Sequence, residues 1–141
     1  MLKGIPVNIS PELMKTLMEM GHGDEIVIAD GNFPASNLAR KLVRADGHPI
    51  PELLCSILDF FPLDTFVPAP VTLMQTVNPD EERPAIWDTY SEILSNNNDF
   101  PISMEQMERM NFYERAKKAY AIIATSESSL YANIILKKGV I

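Results

Sequence analysis

The sequence predicts an α/β fold: a three-layer α/β/α single domain, residues 1–141, built on a mixed, largely parallel sheet. Three observations lead there. Short β-branched runs alternate with helical stretches along the chain, and several of those runs are apolar at every position, as strands covered on both faces are. Glycine or proline marks most of the junctions between them.

Ser10-Pro11-Glu12 opens the first helix with a serine cap, a proline at the first helical position and an acid in the first turn. It should run to about Met20, with Leu13, Leu17 and Met20 on one face, Met14 and Met18 beside them, and Gly21 as its stop. The methionine stripe reads as core packing. Residues 25–29 form a short buried strand between Gly23 and Gly31, and Gly31-Asn32-Phe33-Pro34 is turn chemistry. Leu42-Val43 suggests a second strand ended by Asp46-Gly47, with His48 a turn residue. Pro51-Glu52 then starts a helix buried through Leu53, Leu54, Ile57, Leu58 and Phe61. Residues 71–77 are a third strand, and Asn78-Pro79 turns into a helix carrying Ile86, Trp87, Tyr90 and Ile93, with Trp87 as a half-buried anchor. Residues 102–108 fit strand or helix, and no periodicity decides between them. Residues 112–118 read as helix, and 120–125 and 134–136 as the last strands, joined by a polar loop at 126–129. Lys137 and Lys138 would blunt a sheet edge.

Composition excludes several functions. A net charge of −7 with scattered Lys and Arg gives no basic face for nucleic acid or an anionic membrane surface. No stretch has the length of a membrane span, and the N-terminus lacks a signal-peptide core, which places the protein in the cytoplasm. The single cysteine, Cys55, lies in an apolar run and reads as a buried small hydrophobe.

Most catalytic patterns are missing. Gly21-His22-Gly23 precedes a strand, whereas nucleotide-binding glycine loops follow one. His22, Asp24, Asp30 and His48 lack metal-ligand spacing, and no nucleophile elbow is present. What remains is His22 before one strand, Asp30 after it, and the hydrogen-bonding side chains Arg109, Tyr113, Tyr131 and Asn133. Such an inventory suits a small neutral polyol, whose hydroxyls need donors and acceptors in fixed places. An imidazole, ordinarily titrating at about 6.5, can both give and take a proton near neutrality. A five-residue strand spans roughly 17 Å. His22 and Asp30 of one chain can therefore meet only if the chain folds back or a second copy supplies one of them. Each residue also has a structural alternative: His22 as a helix C-terminal imidazolium, Arg109 and Arg115 as solvated charges, Tyr113 as an interface or core aromatic, Tyr131 and Asn133 as caps of the last strand.

Met20-Gly21-His22-Gly23-Asp24-Glu25-Ile26, Asp30 with Phe33-Pro34, Arg44-Ala45-Asp46-Gly47, Phe112-Tyr113-Glu114-Arg115-Ala116 and the stretch from Tyr131 to Val140 together resemble the fucose mutarotase branch of the fucose mutarotase and ribose pyranase family. The likeness runs from Ile9 to Val140 and is weakest at about 79–108. It implies a ribose pyranase-like fold and a sugar anomer converter with no metal or organic cofactor. It also implies His22 as proton donor and Asp30, Arg109, Tyr113, Tyr131, Ala132 and Asn133 as the contacts to L-fucose. Ala132 stands where the fucose branch carries glycine, a feature shared with the ribose branch. The resemblance further implies a homo-oligomer, a decamer of two pentameric rings with sites between subunits. D-ribose as substrate, or a non-catalytic monosaccharide-binding accessory role, are the other readings.

Overall fold

The structure, a computed structural model, describes residues 1–141. Its elements in chain order are α1 (Pro11–Glu19), β1 (Glu25–Ala29), α2 (Ala35–Leu38), β2 (Leu42–Ala45), α3 (Ile50–Leu58), β3 (Val71–Met74), α4 (Ala85–Asn96), β4 (Met104–Met107), α5 (Arg109–Lys118), β5 (Ala121–Thr125) and β6 (Ile134–Lys137). The strands form one sheet in the order β2-β5-β1-β6-β3-β4. Every pairing is parallel except those of β6, which runs antiparallel to β1 on one side and β3 on the other.

Alternation along each strand divides the core into two layers. Ile26, Ile28, Ile123, Ile134 and Leu136 face α1, α3 and α4, where they meet Leu13, Leu53, Ile57 and Tyr90. Val27, Ala29, Ile122, Ala124 and Ile135 face the other way, against Phe33, Phe112 and Ala116 from the α2 and α5 side. The expected three layers and mixed sheet are therefore present. Ser10 caps α1 by accepting from the Leu13 backbone N–H, as the sequence implies.

Several expectations need correction. Cys55 is exposed, because the buried stripe of α3 runs through Leu53, Leu54, Ile57 and Leu58 and leaves position 55 on the outer side. Lys137 and Lys138 do not blunt an edge, since β6 has a strand on each side; Lys137 is the last residue of a central strand. Trp87 is buried rather than half-buried, with its indole N–H donating to the Tyr131 carbonyl at 2.9 Å. Arg115 is no solvated charge: it pairs with Glu25 at 2.7 Å and Glu105 at 2.9 Å, tying α5 to β1 and β4. The ambiguous stretch 102–108 contains edge strand β4, and an edge strand over one helix has no continuous apolar face to advertise. The one-turn helix α2 begins just past the Gly31–Pro34 turn, in a stretch for which the sequence suggested no element.

The C-terminal segment locks the amino-terminal end of β1. Lys138 donates to the Asp24 carbonyl and accepts from the Gly23 N–H, both at 2.8 Å, and the Gly139 N–H donates to Pro62 at 2.7 Å. A Cβ at Gly139 would lie 2.5 Å from the Leu63 carbonyl oxygen and 2.8 Å from the Asp64 Cα. Backbone cannot yield as a side chain does. Gly139→Ala is therefore predicted to cost about 1–3 kcal/mol through forced backbone displacement, read as a lower urea midpoint at fixed protein concentration; an unchanged midpoint would show that the approach is looser than described.

Candidate functional site

The carboxyl ends of β1, β3 and β4 open on a cavity of about 230 Å³, lined by Asp30, Asn32, Phe33, Met74, Val77, Arg109, Tyr113, Leu130, Tyr131 and Asn133. This is where parallel α/β sheets usually receive ligands, because the loops leaving the strands diverge there. Asp30 and Asn133 form its floor. The Asp30 backbone N–H donates to Asn133 Oδ1 at 2.8 Å, and Asn133 Nδ2 donates back to Asp30 Oδ2 at 3.0 Å. Two strands running in opposite directions are thus joined, since Asp30 follows β1 and Asn133 precedes β6. Asp30 Oδ1 accepts from the Asn32 N–H at 2.9 Å, closing the turn that carries Phe33. Burial pushes the Asp30 carboxyl above the ordinary aspartate range; hydrogen bonds from Asn32, Phe33 and Asn133 offset only part of that cost.

The walls are aromatic and basic. Phe33 meets Tyr113 edge-on at 5.2 Å and Phe112 at 6.1 Å, and the Arg109 guanidinium lies 5.4 Å from the centre of the Tyr113 ring. Arg109 opens α5, yet the helix terminus beside it is closed, because the Glu108 carboxylate accepts from the Met110 and Asn111 N–H groups at 2.9 and 3.2 Å. The donors that a phosphate or carboxylate ligand would use are occupied by the chain's own acid. Together with Asp30 in the floor, this favours an uncharged, hydroxyl-rich ligand. Tyr131 is the one non-glycine residue with positive φ, at 57°, a conformation that costs an L-residue roughly 1–2 kcal/mol. Its hydroxyl donates to Glu81 Oε2 at 2.8 Å.

His22 lies elsewhere. It sits before β1, at the opposite end of the strand from Asp30, and takes no part in lining the cavity. Within one chain its neighbour is Asp64: Nε2 is 3.4 Å from Oδ1, with the imidazole side chain 47% exposed and the carboxylate 4% exposed. Phe66 packs obliquely on the imidazole at 5.6 Å between ring centres. The Phe66 backbone N–H, followed by the imidazole, holds the Asp64 carboxyl below the usual aspartate range against the opposing cost of burial. Within its own chain the acid beside the imidazole is therefore Asp64, and Asp30 is at the far end of the strand.

Of the expected site residues, the structure brings together Asp30, Arg109, Tyr113, Tyr131 and Asn133, and sets His22 apart. Ala132 also falls outside the cavity lining: its side chain is fully buried and its carbonyl accepts from Tyr90 Oη at 2.7 Å. Sequence reasoning missed Asn32, Met74, Val77 and Leu130 as walls, Phe33 as an aromatic support and Asp64 as the partner of His22. Val77 and Leu130 are exposed apolar residues in loops and Met74 is the buried last residue of β3, and none of these carries a site signal in a single sequence. Asp64 is 42 positions from His22 and follows proline-broken sequence with no pattern of its own. No group of three or more His, Cys, Asp or Glu side chains is placed to hold a metal ion.

Fold and site together define a small α/β protein with a cavity at the carboxyl ends of its strands, walled largely by apolar and aromatic side chains over a hydrogen-bonded Asp30–Asn133 floor. The chain belongs to the RbsD / FucU transport protein family, whose sequence model matches residues 3–141. It is 48% identical to the human fucose mutarotase, covering 99% of this chain and 94% of the relative. It superposes on the crystal structure of a fucose mutarotase from Streptococcus pneumoniae in complex with L-fucose with a TM-score of 0.94 and 55% identity, covering 99% of each chain. The Bacillus subtilis RbsD complexed with D-ribose shares the fold at a TM-score of 0.73 and 23% identity, covering 100% of this chain and 99% of that one.

The raised Asp30 carboxyl has a measurable consequence. The folded chain binds this proton more tightly than the unfolded chain does. The contribution of Asp30 to stability is therefore full below the ordinary aspartate value of 3.8 and is lost as pH rises through its raised value. Carbon-detected NMR titration should place the Asp30 midpoint above 3.8; a midpoint at or below that value contradicts the burial described.

Proposed function

We propose that this protein interconverts the α and β anomers of L-fucopyranose through the ring-opened sugar, by general acid/base catalysis without a metal or organic cofactor. The observation that carries the reading is the pairing of the neutral-ligand cavity at Asp30 with full-length likeness to a fucose mutarotase crystallised with L-fucose. A cavity of about 230 Å³ lies below the roughly 300–1,000 Å³ of sites for drug-sized molecules and suits one small ring.

Anomer exchange needs two proton movements. A proton reaches the ring oxygen, the C1–O5 bond breaks, and the anomeric hydroxyl gives up its hydrogen to leave an aldehyde. Rotation about C1–C2 and the reverse steps close the ring on its other face. In this reading His22 delivers the proton to the ring oxygen and recovers it on closure, with Asp64 fixing the imidazole. The anomeric hydrogen passes to water. Asp30 accepts a hydrogen bond from a sugar hydroxyl, Arg109 gives one, and Tyr113, Tyr131 and Asn133 complete the recognition of the hydroxyl pattern. Asn133 has one amide hydrogen left beyond the bond it gives Asp30, so its direct contribution is a single donor. Ala132 contributes through the backbone at the base of that wall.

Because His22 and the cavity lie at opposite ends of β1, the site is built between copies of the chain: His22 of one subunit reaches the Asp30 cavity of a neighbour. The assembly we propose is a homo-oligomer, a decamer of two pentameric rings. No helix is long and apolar enough to cross a membrane, and a free exposed thiol at Cys55 suits the reducing cytoplasm, where we place the enzyme.

Saturation-transfer NMR with L-fucose, D-ribose and D-galactose tests the activity and ranks the sugars. L-fucose should exchange fastest; faster exchange of D-ribose would shift the reading to a ribose pyranase, and no catalysed exchange would leave only a binding role. His22→Ala should slow exchange by roughly 10²–10⁴-fold, and an unchanged rate removes the imidazole from the mechanism. A mixing experiment tests the shared site. His22→Ala and Arg109→Ala chains, refolded together in equal amounts, should regain about a quarter of intact sites if each pocket draws on two subunits of a symmetric assembly. Activity no higher than the average of the two variants alone would mean that one chain supplies both groups.

A further inference from the structure

We propose that Glu81 is a positioning residue for the cavity: it takes the only hydrogen of the Tyr131 phenol, so that Tyr131 meets the ligand as a hydrogen-bond acceptor. The inference rests on reading the cavity as a sugar site.

A phenol has one hydrogen to give and two lone pairs to offer. The Tyr131 hydroxyl gives that hydrogen to Glu81 Oε2 at 2.8 Å, and its oxygen accepts from the Val77 N–H at 3.3 Å. A hydrogen bond to a carboxylate is stronger than one to a neutral oxygen, so the sugar competes poorly for the same hydrogen. One lone pair remains. The ligand atom it suits carries a hydrogen of its own, which means a hydroxyl and excludes a ring oxygen or carbonyl.

Glu81 acts from outside the cavity. It is absent from the cavity lining and borders an adjoining hollow, and Leu130 and Tyr131 are the residues that line both spaces. The carboxylate is presented by a closed turn, in which the Glu81 N–H donates to the Asn78 carbonyl and the Asp80 N–H to Asn78 Oδ1, both at 3.1 Å. The other end of Tyr131 is fixed independently by Trp87, whose indole N–H holds the carbonyl while the backbone sits at positive φ. Tyr131 is thus pinned at backbone and hydroxyl, and only the second pin belongs to the segment following β3. That pin also sets where Val77, a cavity wall, comes to rest.

A double-mutant cycle on sugar exchange separates this from a general structural role. Glu81→Ala should raise KM for L-fucose about five- to tenfold with kcat within about twofold, the size of one mispositioned hydrogen bond. Glu81→Gln, which keeps an oxygen that can accept from the phenol, should restore most of the loss. In a Tyr131→Phe background Glu81→Ala should change KM by less than about twofold, since the hydroxyl through which it acts is gone. An equal KM effect in both backgrounds, or a fall in kcat at unchanged KM, overturns the inference. A wild-type chain that exchanges none of the three sugars overturns the sugar-site reading and this inference together, whereas normal exchange with an additive cycle overturns this inference alone.

Discussion

The reciprocal clamp between Asp30 and Asn133 is the interaction on which the site depends. Strand β6 runs against its neighbours, so its first residues arrive at the carboxyl end of β1, where a loop would otherwise diverge freely. Two hydrogen bonds between the same pair of residues, one from backbone and one from side chain, fix that meeting. Two walls of the cavity are hung from it. Tyr131 lies two positions before Asn133 and is held by Trp87 and Glu81, while Phe33 lies three positions after Asp30 and supports Tyr113. A buried polar pair hydrogen-bonded to each other in this way specifies geometry more than it adds stability, since the carboxylate resists burial.

The same strand that positions the floor also separates it from His22. Five residues of β1 lie between the two ends, and both are well anchored: Asp30 by Asn133, and the turn at Gly21-His22-Gly23 by Asp24 and Lys138. No hinge in the chain could bring them together without breaking the central strand. An imidazole half exposed beside a buried carboxylate is oriented and accessible, as a proton donor to something outside its own chain must be. Assembly is then a requirement of the proposed chemistry, and the separation of the two ends is its cause.

Much of the architecture was legible in the residues. Ser10-Pro11 marked the start of α1, the glycine-bounded run marked the full extent of β1, and the apolar stretches 26–29 in β1 and 121–124 in β5 announced a sheet covered on both faces. What stayed hidden depends on three-dimensional neighbours. Edge strand β4 has no face pattern to read, and Arg115 looks like any surface charge until Glu25 and Glu105 are placed beside it. Glu127 sits in a loop that reads simply as polar, yet it is buried and accepts from the Ile50 N–H at the start of α3, where proline leaves no side-chain cap. Hydrogen bonds from Ser129, Ile50 and Ser128 hold its carboxyl below the ordinary glutamate range, outweighing the larger single cost of its burial. Arg109, Tyr113, Tyr131 and Asn133 stood out both as a hydrogen-bonding inventory and within the motif resemblance, and the structure gathers them around one cavity. Asp64 and Glu81 did not stand out, as each acts on a residue more than forty positions away.

The most direct measurement is a crystal structure of the full assembly with L-fucose bound. The sugar should rest against Asp30 and Tyr131 of one subunit with the imidazole of a neighbouring subunit's His22 within hydrogen-bonding distance of its ring or anomeric oxygen. A sugar bound away from the Asp30 cavity, or a cavity whose nearest imidazole is out of reach of those oxygens, would contradict the central claim.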